Sequence, residues 1–553
     1  MIRACLAVVA CLGLAVSAGA QTVGSSQPAT ADPTVPRPAT TPCVVQLYAG
    51  YTFADFSPKP FTYTPACPGP WAKVVLEADF SVTAGRQFDR TAQIAIGHVN
   101  VYYGTTAEPS ASVSPAWHVE RDLTDYSPLF VTAQTGEVNL GNLVNSTYTG
   151  ILNGSARLLF YPPSASAPAP RTADAVLPLS TAPGGAALLQ TGSDVLAATF
   201  SLPANVEAAY LDVIPQSQSS DEFWYTCVPD DAANVVFSCG GTAFREAEVT
   251  VDGQPAGVAP VYPWIYTGGI DPLLWRPIPG VQTFNFFPYR VDLTPFAGVL
   301  SNGQPHQVGV SVYNANHYFL VAASLLLFQD HGSAHVTGAV TQNTLGAVPP
   351  PSIQENLTTA ADGTVTGTIT TRDQRAFTVS GYVNTSHGRV DTTVRQALLF
   401  SNQQQFDVES AKYVQKIKQD TEILSSVDSK SPGSVAHSEK HLSYPLSLDY
   451  SFLGNADGSG SQTTVVDQEY NSQEALGGNA VNPGLNQVSN VVKSADTLLF
   501  NASGAITGFQ DRDSSQSYVA RGSGGACYSK QVTSANGVVT GVVSGQGCGN
   551  RDH

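Results

Sequence analysis

Three observations predict an all-β chain. Glycine (49 residues) and proline (37 residues) are frequent but follow no fixed period. Charged residues make up 12% of the chain, half of the about 25% usual in soluble domains. Apolar residues alternate in short runs rich in Val, Thr and Tyr, bounded by turn-forming residues, which is the pattern of strands. With 553 residues the chain has room for roughly three or four domains. A net charge of −17 argues against nucleic acid or an anionic membrane as a partner.

Met1 to Ala20 reads MIRACLAVVACLGLAVSAGA. A basic n-region (Arg3), an apolar stretch (Cys5 to Val16) and the small residues Ala18-Gly19-Ala20 predict a signal peptide cleaved near Ala20. The product would be secreted or periplasmic. Residues 21–42 are rich in Pro, Ser and Thr and read as a disordered leader. Strand-like runs follow at Trp71 to Phe80 and Thr91 to Tyr103. The segment PPSASAPA, Pro162 to Ala169, reads as a connector. A second β unit runs from about Asp194 to Phe328, with strands at Glu207 to Ile214, Ala247 to Asp252 and His306 to Tyr313. GAVPPP, Gly346 to Pro351, is the next boundary signal, and the remainder is rich in Thr, Ser, Gln, Asn and Gly. There Leu442, Tyr444, Leu446, Leu448, Tyr450 and Phe452 alternate as in a strand with one buried face. Tyr413 to Leu424 spaces its apolar residues too poorly for a helix and is read as strand or irregular.

Loss of the signal removes Cys5 and Cys11 and leaves Cys43, Cys67, Cys227, Cys239, Cys527 and Cys548. An even set in an exported chain reads as disulfides. Three sequence-local pairs, Cys43–Cys67, Cys227–Cys239 and Cys527–Cys548, each close a short loop and are the expected bridges. A metal site is the weaker reading, since there is no CxxC or HExxH and the histidines are scattered.

The front and back of the chain differ. Trp71, Trp117, Trp224, Trp264 and Trp275 all precede residue 276, and no lysine occurs between Lys73 and Lys412. Positive charge in that interval is therefore arginine, a planar donor suited to carboxylates, carbonyls and sugar hydroxyls. Several segments there mix acids, arginines and aromatics: Gly85 to Arg90, Thr105 to Pro109, Trp117 to Tyr126, Asp221 to Tyr225, and Thr267 to Pro277. Arginine beside an acid keeps it ionised, whereas tryptophan beside an acid desolvates it and raises its pKa. A reaction needing one ionised and one protonated carboxyl could use both settings. The plain alternative is that such pairs brace turns and that the tryptophans fill sandwich cores.

GRQFDR, TTAEP, W-x4-DLTDYSPL, DEFWY, FRE, YTGGIDPLLWRP and VDLTPF occur in this order. Together they resemble the peptide-N-glycanase A family, densely over residues 70–330 and loosely beyond. A thinner resemblance is to the bacterial peptide-N-glycosidase F type. That type implies two antiparallel jelly rolls side by side with the site at their junction, here 43–185 and 186–335, followed by a β-rich domain at 336–553. The family reaction hydrolyses the amide between an asparagine side chain and the first N-acetylglucosamine of an N-glycan. The family's plant members tolerate fucose on the innermost sugar and work in acid. The resemblance implies a catalytic set of Asp89, Arg90, Glu222 and Arg276, with no metal or organic cofactor. Glu108, Trp117, Asp125, Asp221, Trp224 and Trp275 are the substrate-binding candidates. The F type has a further functional glutamate late in its first lobe. Asn142 and Asn145 stand in that region here, and Glu108 and Asp125 are the acids that could take its part. N-glycosylated peptides are the implied partners, and a monomer is expected.

Three other readings compete. Tandem jelly rolls also serve as carbohydrate-binding modules, and paired carboxyls also serve glycoside hydrolases. The third is a structural surface protein, mainly for residues 350–553. The sequons at Asn145, Asn153, Asn356, Asn384 and Asn501 are glycosylation acceptors only in a host that glycosylates.

Overall fold

The computed structural model describes residues 21–478, 484–523 and 525–548. The expected signal peptide, residues 1–20, lies outside the described residues.

The first unit contains strands β1 (Cys43–Phe53), β2 (Lys59–Tyr63), β3 (Lys73–Val82), β4 (Thr91–Ile96), β5 (Val99–Thr105), β6 (Ala116–Asp122), β7 (Gln134–Leu140) and β8 (Leu152–Tyr161). They form two antiparallel sheets, ordered β1-β8-β3-β6 and β2-β7-β4-β5. This is the double Greek-key wrapping of a jelly roll. Phe53, Tyr63, Phe130 and Phe160 fill its core. All seven residues of β5 are buried, because both of its faces are covered. Val99 and Val101 join the core of this roll, and Tyr103 joins that of the next.

The second unit repeats the plan. Its strands are β9 (Ala175–Pro178), β10 (Ala186–Thr191), β11 (Leu196–Ser201), β12 (Val206–Ser217), β13 (Glu246–Val251), β14 (Gln254–Pro260), β15 (Tyr289–Asp292), β16 (Pro305–Val312) and β17 (Asn316–Gln329). The sheets are β10-β17-β12-β15, with β9 added against β17, and β11-β16-β13-β14. The two rolls are joined by hydrogen bonds as well as apolar contact. Tyr102 Oη donates to the Phe284 carbonyl (2.7 Å), the Thr105 N–H to the Thr283 carbonyl (2.9 Å), and the Phe286 N–H to the Tyr103 carbonyl (2.8 Å).

The third unit is one antiparallel sheet of twelve strands among the described residues. Its strands are β18 (Thr337–Asn343), β19 (Ser352–Thr359), β20 (Val365–Thr385), β21 (Gly388–Glu409), β22 (Lys412–Ser431), β23 (Ser434–Ser443), β24 (Leu446–Gly454), β25 (Gly460–Gly478), β26 (Gly484–Phe500), β27 (Ile506–Arg521), β28 (Cys527–Ala535) and β29 (Val538–Ser544). Residues 413–424, read as strand or irregular, are strand. GAVPPP lies between β18 and β19, which both pair with β20, so it is a loop within this sheet. The inward face can be read off β21, where Leu398, Phe400, Asn402, Gln404, Phe406 and Val408 alternate as the buried set. Leu398 and Phe400 share one core with the second roll, and Phe406 and Val408 pack in a smaller cluster against Val228, Ala232 and Val236. The amides cap backbone carbonyls of that roll: Asn402 donates to Tyr225 (2.9 Å), Gln404 to Cys227 (2.9 Å), Gln415 to Thr226 (3.0 Å) and Gln468 to Pro263 (2.7 Å). Buried loops need such partners for their main-chain polar groups.

Residues 21–42 depart from the expected disorder. They form an extended strap across all three units. Gly24 and Ser25 pair with Val539 of β29, and the Ala29 N–H donates to the Pro277 carbonyl (2.9 Å). Ala29 and Ala31 are buried, and Arg37 bridges Glu77 (2.7 Å) and Glu120 (2.6 Å) on the first roll. Small and proline residues suit an extended segment that lies flat on other structure, and composition does not separate that use from disorder. Bonds join Cys43–Cys67, Cys227–Cys239 and Cys527–Cys548, the sequence-local pairing.

Candidate active site

The β4–β5 ladder sets the first part of the site. Thr91 pairs with Thr105, and the pairing continues outward by one step. The Arg90 N–H donates to Thr106 Oγ1 (2.8 Å) and the Thr106 N–H to the Arg90 carbonyl (2.9 Å). The next acids on each side therefore meet, and the Asp89 N–H donates to Glu108 Oε1 (3.2 Å). Two carboxyls 19 residues apart in sequence are neighbours because a tight hairpin returns the chain.

The second roll supplies the other two groups from loops. Glu222 follows β12 and its terminal 3₁₀ turn. Arg276 lies in the long β14–β15 connection, where its Nη2 donates to Glu108 Oε2 (2.6 Å). The loop is fastened to the first roll by Thr267 Oγ1, which donates to the Thr106 carbonyl (2.6 Å). Gly268 fills the gap: a Cβ there would lie 2.4 Å from Asp89 Oδ1 and 2.6 Å from Glu108 Oε1. Its N–H is a donor to the Asp89 carboxyl.

Glu108 is 7% exposed, and Asp89, Glu222 and Arg276 are half-buried. Burial in a shared crevice raises all three acids, since a charge is poorly solvated there. Asp89 is pushed up to about 6, held down in part by the Gly268 N–H and by Arg90. Glu108 rises to about 7 through burial and the nearby Asp89, with Arg276 opposing. Glu222 rises to about 8 through burial and then the charges of Asp89 and Glu108. The three are thus ranked in acidity, and two arginines offset part of their charge. Such a set can hold a carboxylate and a carboxylic acid side by side near neutrality.

The structure brings together Asp89, Arg90, Glu108, Glu222 and Arg276, and sets five other expectations apart. Trp117 is buried and stacked between Phe80 (5.7 Å) and Phe284 (5.4 Å). Trp224 is 1% exposed, and Trp275 is buried with its Nε1 donating to the Gly269 carbonyl (2.8 Å). These tryptophans are core, because sandwich interiors need large apolar side chains. Asp221 is fully buried; it pairs with Arg245 (3.3 Å) and accepts from the Asn316 and Tyr318 N–H groups (2.9 Å each). Asp125 pairs with Arg290 (2.6 Å), which also binds Asp212 (2.7 Å), away from the crevice. Asn142 is a buried brace on the Phe53 and Gly150 carbonyls, and of the two alternative acids Glu108, not Asp125, lies beside Asp89.

Sequence reasoning passed over Gly268 and the exposed aromatics. Phe88, beside Asp89, is 45% exposed and lies 5.1 Å from the Tyr148 ring, with the Arg86 guanidinium over Tyr148 at 5.4 Å. The available signal was an aromatic next to a site acid, outside any strand pattern.

A tandem jelly-roll protein with an acid-lined crevice where its rolls meet is the class these features define. The model of the family described as peptide N-acetyl-beta-D-glucosaminyl asparaginase amidase A matches residues 28–345, and that of the PNGase A C-terminal domain matches residues 368–446. The peptide-N4-(N-acetyl-beta-glucosaminyl)asparagine amidase A of Prunus dulcis is 32% identical over 456 residues, 78% of each chain. The chain belongs to the peptide N-acetyl-β-D-glucosaminyl asparaginase amidase A family. Among solved structures, PNGase F, a glycosylasparaginase from Flavobacterium meningosepticum, is similar at 13% identity. That similarity spans 52% of this chain and 96% of that one, with a TM-score of 0.36. PNGF-II matches 52% of this chain and 66% of its own at 11% identity, with a TM-score of 0.36.

Proposed function

We propose that this protein is an amidase that cleaves N-glycans from peptides, with the crevice at the roll junction as its active site. Membership of the amidase A family supports the reaction. The observation that carries the site is the meeting of Asp89, Glu108 and Glu222 with Arg276, four groups from both rolls, with Asp89 and Glu108 packed so closely on Gly268 that a side chain would not fit there.

Hydrolysis of this amide adds water to the side-chain carbonyl carbon and breaks its bond to nitrogen. The peptide keeps an aspartate, and the sugar leaves as a glycosylamine that decays to free sugar and ammonia. The enzyme must remove a proton from water, stabilise an oxyanion and protonate the nitrogen. Asp89, the first of the three acids to ionise, is assigned the base. Glu222, the last to ionise, is assigned the acid that protonates nitrogen. Glu108 holds Arg276, and the Arg276 and Arg90 guanidinium groups face the developing oxyanion. Phe88, with Tyr148 behind it, offers an apolar face to a sugar ring, the role that sequence assigned to the tryptophans.

Export is supported by the signal-like N-terminus and by the three disulfides, which persist in oxidising compartments. Among the described residues no helix is long and apolar enough to cross a membrane.

Digestion of a defined N-glycopeptide, with both products weighed, tests the reaction. The peptide should carry Asp in place of Asn, and the glycan should retain its innermost N-acetylglucosamine. A peptide that keeps one sugar on Asn would make the protein a glycosidase, and an uncut glycopeptide would make it a binding module.

A further inference from the structure

We propose that the third sheet is a working part of the active site, and that Arg512 of β27 is a positioning residue that holds Arg276 on Glu108. The proposal rests on the site assigned above and extends it to the third unit.

Between Ala495 and Thr497 of β26 the register with β27 shifts: Ala495 pairs with Asp513, but Thr497 pairs with Gln510. Asp511 and Arg512 together therefore oppose Asp496, a β-bulge, and Asp511 takes the left-handed conformation (φ 50°). Bulges redirect side chains, and this one turns Arg512 onto the β14–β15 connection of the second roll. There Arg512 Nε donates to the Leu273 carbonyl (3.0 Å) and Nη2 to the Arg276 carbonyl (2.8 Å). Ser494 on β26 donates to the Leu274 carbonyl between them (2.7 Å). Three of four successive carbonyls, at residues 273, 274 and 276, are thus gripped by two adjacent strands. The guanidinium has room because residue 537 is glycine; a Cβ there would lie 2.8 Å from Arg512 Nη1.

The grip is charged as well as directional. The buried carboxyls of Asp271, in the same loop, and Asp496 lie at this seam, and the Arg512 charge acts on both. One guanidinium therefore ties the loop's main chain to the sheet. The loop needs such a tie. It carries Ile270 at φ 62°, a conformation costly for a β-branched residue, and its tip presents Gly268 and Arg276 to two carboxyls. Small displacements of catalytic groups cost large factors in rate, so a fixed Arg276 main chain should bear on turnover more than on affinity.

The test is a double-variant cycle on a glycopeptide. Arg512→Ala should lower kcat ~10–100-fold, the scale of a misplaced catalytic group, with KM within about twofold. Combined with Arg276→Ala, it should add nothing, since Arg512 acts through Arg276; independent effects would multiply instead. Arg512→Lys keeps the charge but reaches only one of the two carbonyls, and should retain kcat between wild type and Arg512→Ala. It also serves as the test variant if Arg512→Ala does not fold. Normal kcat in folded Arg512→Lys and Arg512→Ala, or losses that multiply with Arg276→Ala, would overturn the positioning role. Full activity of Arg276→Ala alone would instead overturn the site assignment on which it rests.

Discussion

Two acid clusters lie along the seam between the jelly rolls, and they are used in opposite ways. At one, Asp212 of the second roll receives Arg290 (2.7 Å) and the Tyr126 hydroxyl (2.7 Å), and the same Arg290 takes Asp125 (2.6 Å). Both oxygens of Asp212 are occupied, and the cluster is a clasp. At the other, three carboxyls share a crevice with Arg90 and Arg276, of which Arg276 is bonded to Glu108. Among the described residues no protein group hydrogen-bonds the Glu222 carboxyl, and burial leaves it a weak acid. Saturated acids hold a fold together; under-neutralised ones keep protons to exchange. The presence of Asp and Arg does not separate the two clusters. The count of donors per oxygen does.

The strongest attempt to break the contrast is Asp89→Asn. Asparagine keeps the shape and removes the base, so turnover should fall by at least ~100-fold, the lower range for a general base, with the thermal melt unchanged. Near-normal turnover would pass the base to Glu108, and Glu108→Gln on the same glycopeptide would decide it. Next is the pH profile. Activity should fall below about 6 as Asp89 takes up its proton and above about 8 as Glu222 loses its own, with Glu222→Gln nearly inactive throughout. The sign for stability is separate. All three folded-state values lie above those of free carboxyls, so the stabilisation is complete in acid and is lost as the pH rises through about 6 to 8. The melt should therefore be higher at pH 5 than at pH 9.

At the clasp, Asp212→Asn should do the reverse of Asp89→Asn. It leaves Arg290 and the Tyr126 hydroxyl poorly matched, costing about 1–3 kcal/mol in urea unfolding, while kcat stays within about threefold of wild type, as expected for a site outside the shared network. The smallest expected effect separates the aromatics. Phe88→Ala should raise KM for glycopeptide several-fold, on the order of 1 kcal/mol, with kcat little changed. Trp117→Phe should leave KM alone and lower the melt.

Much of this was legible in the chain. Alternating apolar residues gave the strands, but the run 442–452 is two of them, β23 ending at Ser443 and β24 beginning at Leu446, and its buried face stops at Leu448, since Phe452 is exposed. The local cysteine pairs gave the bridges, because short loops bring thiols together at little entropic cost. Asp89, Arg90, Glu222 and Arg276 lie in segments that mix acids, arginines and aromatics, and the resemblance to the amidase A and F types singled them out there. The strap at 21–42 did not, since its partners, such as Val539 for Gly24 and Lys530 for Thr30, lie at the other end of the chain. Nor did the Asn, Gln, Ser and Thr content of the last third, which looked like a polar surface and is in part the inward, carbonyl-binding face of a sheet.

Composition and pattern determined by themselves that this protein is mainly β and that its cysteines pair locally, and the ordered motifs, through the family they resemble, marked a few acids and arginines for attention. These are properties of near neighbours along the chain, set by strand period and loop length. Tertiary structure alone decided that Asp221 and Asp125 are braces while Glu108 meets Asp89 and Arg276, that Trp117, Trp224 and Trp275 are core while Phe88 faces out, and that Arg512 reaches the Arg276 carbonyl. Each of those outcomes depends on how many donors surround an oxygen and how much water a side chain keeps. Both quantities come into existence only when distant segments pack.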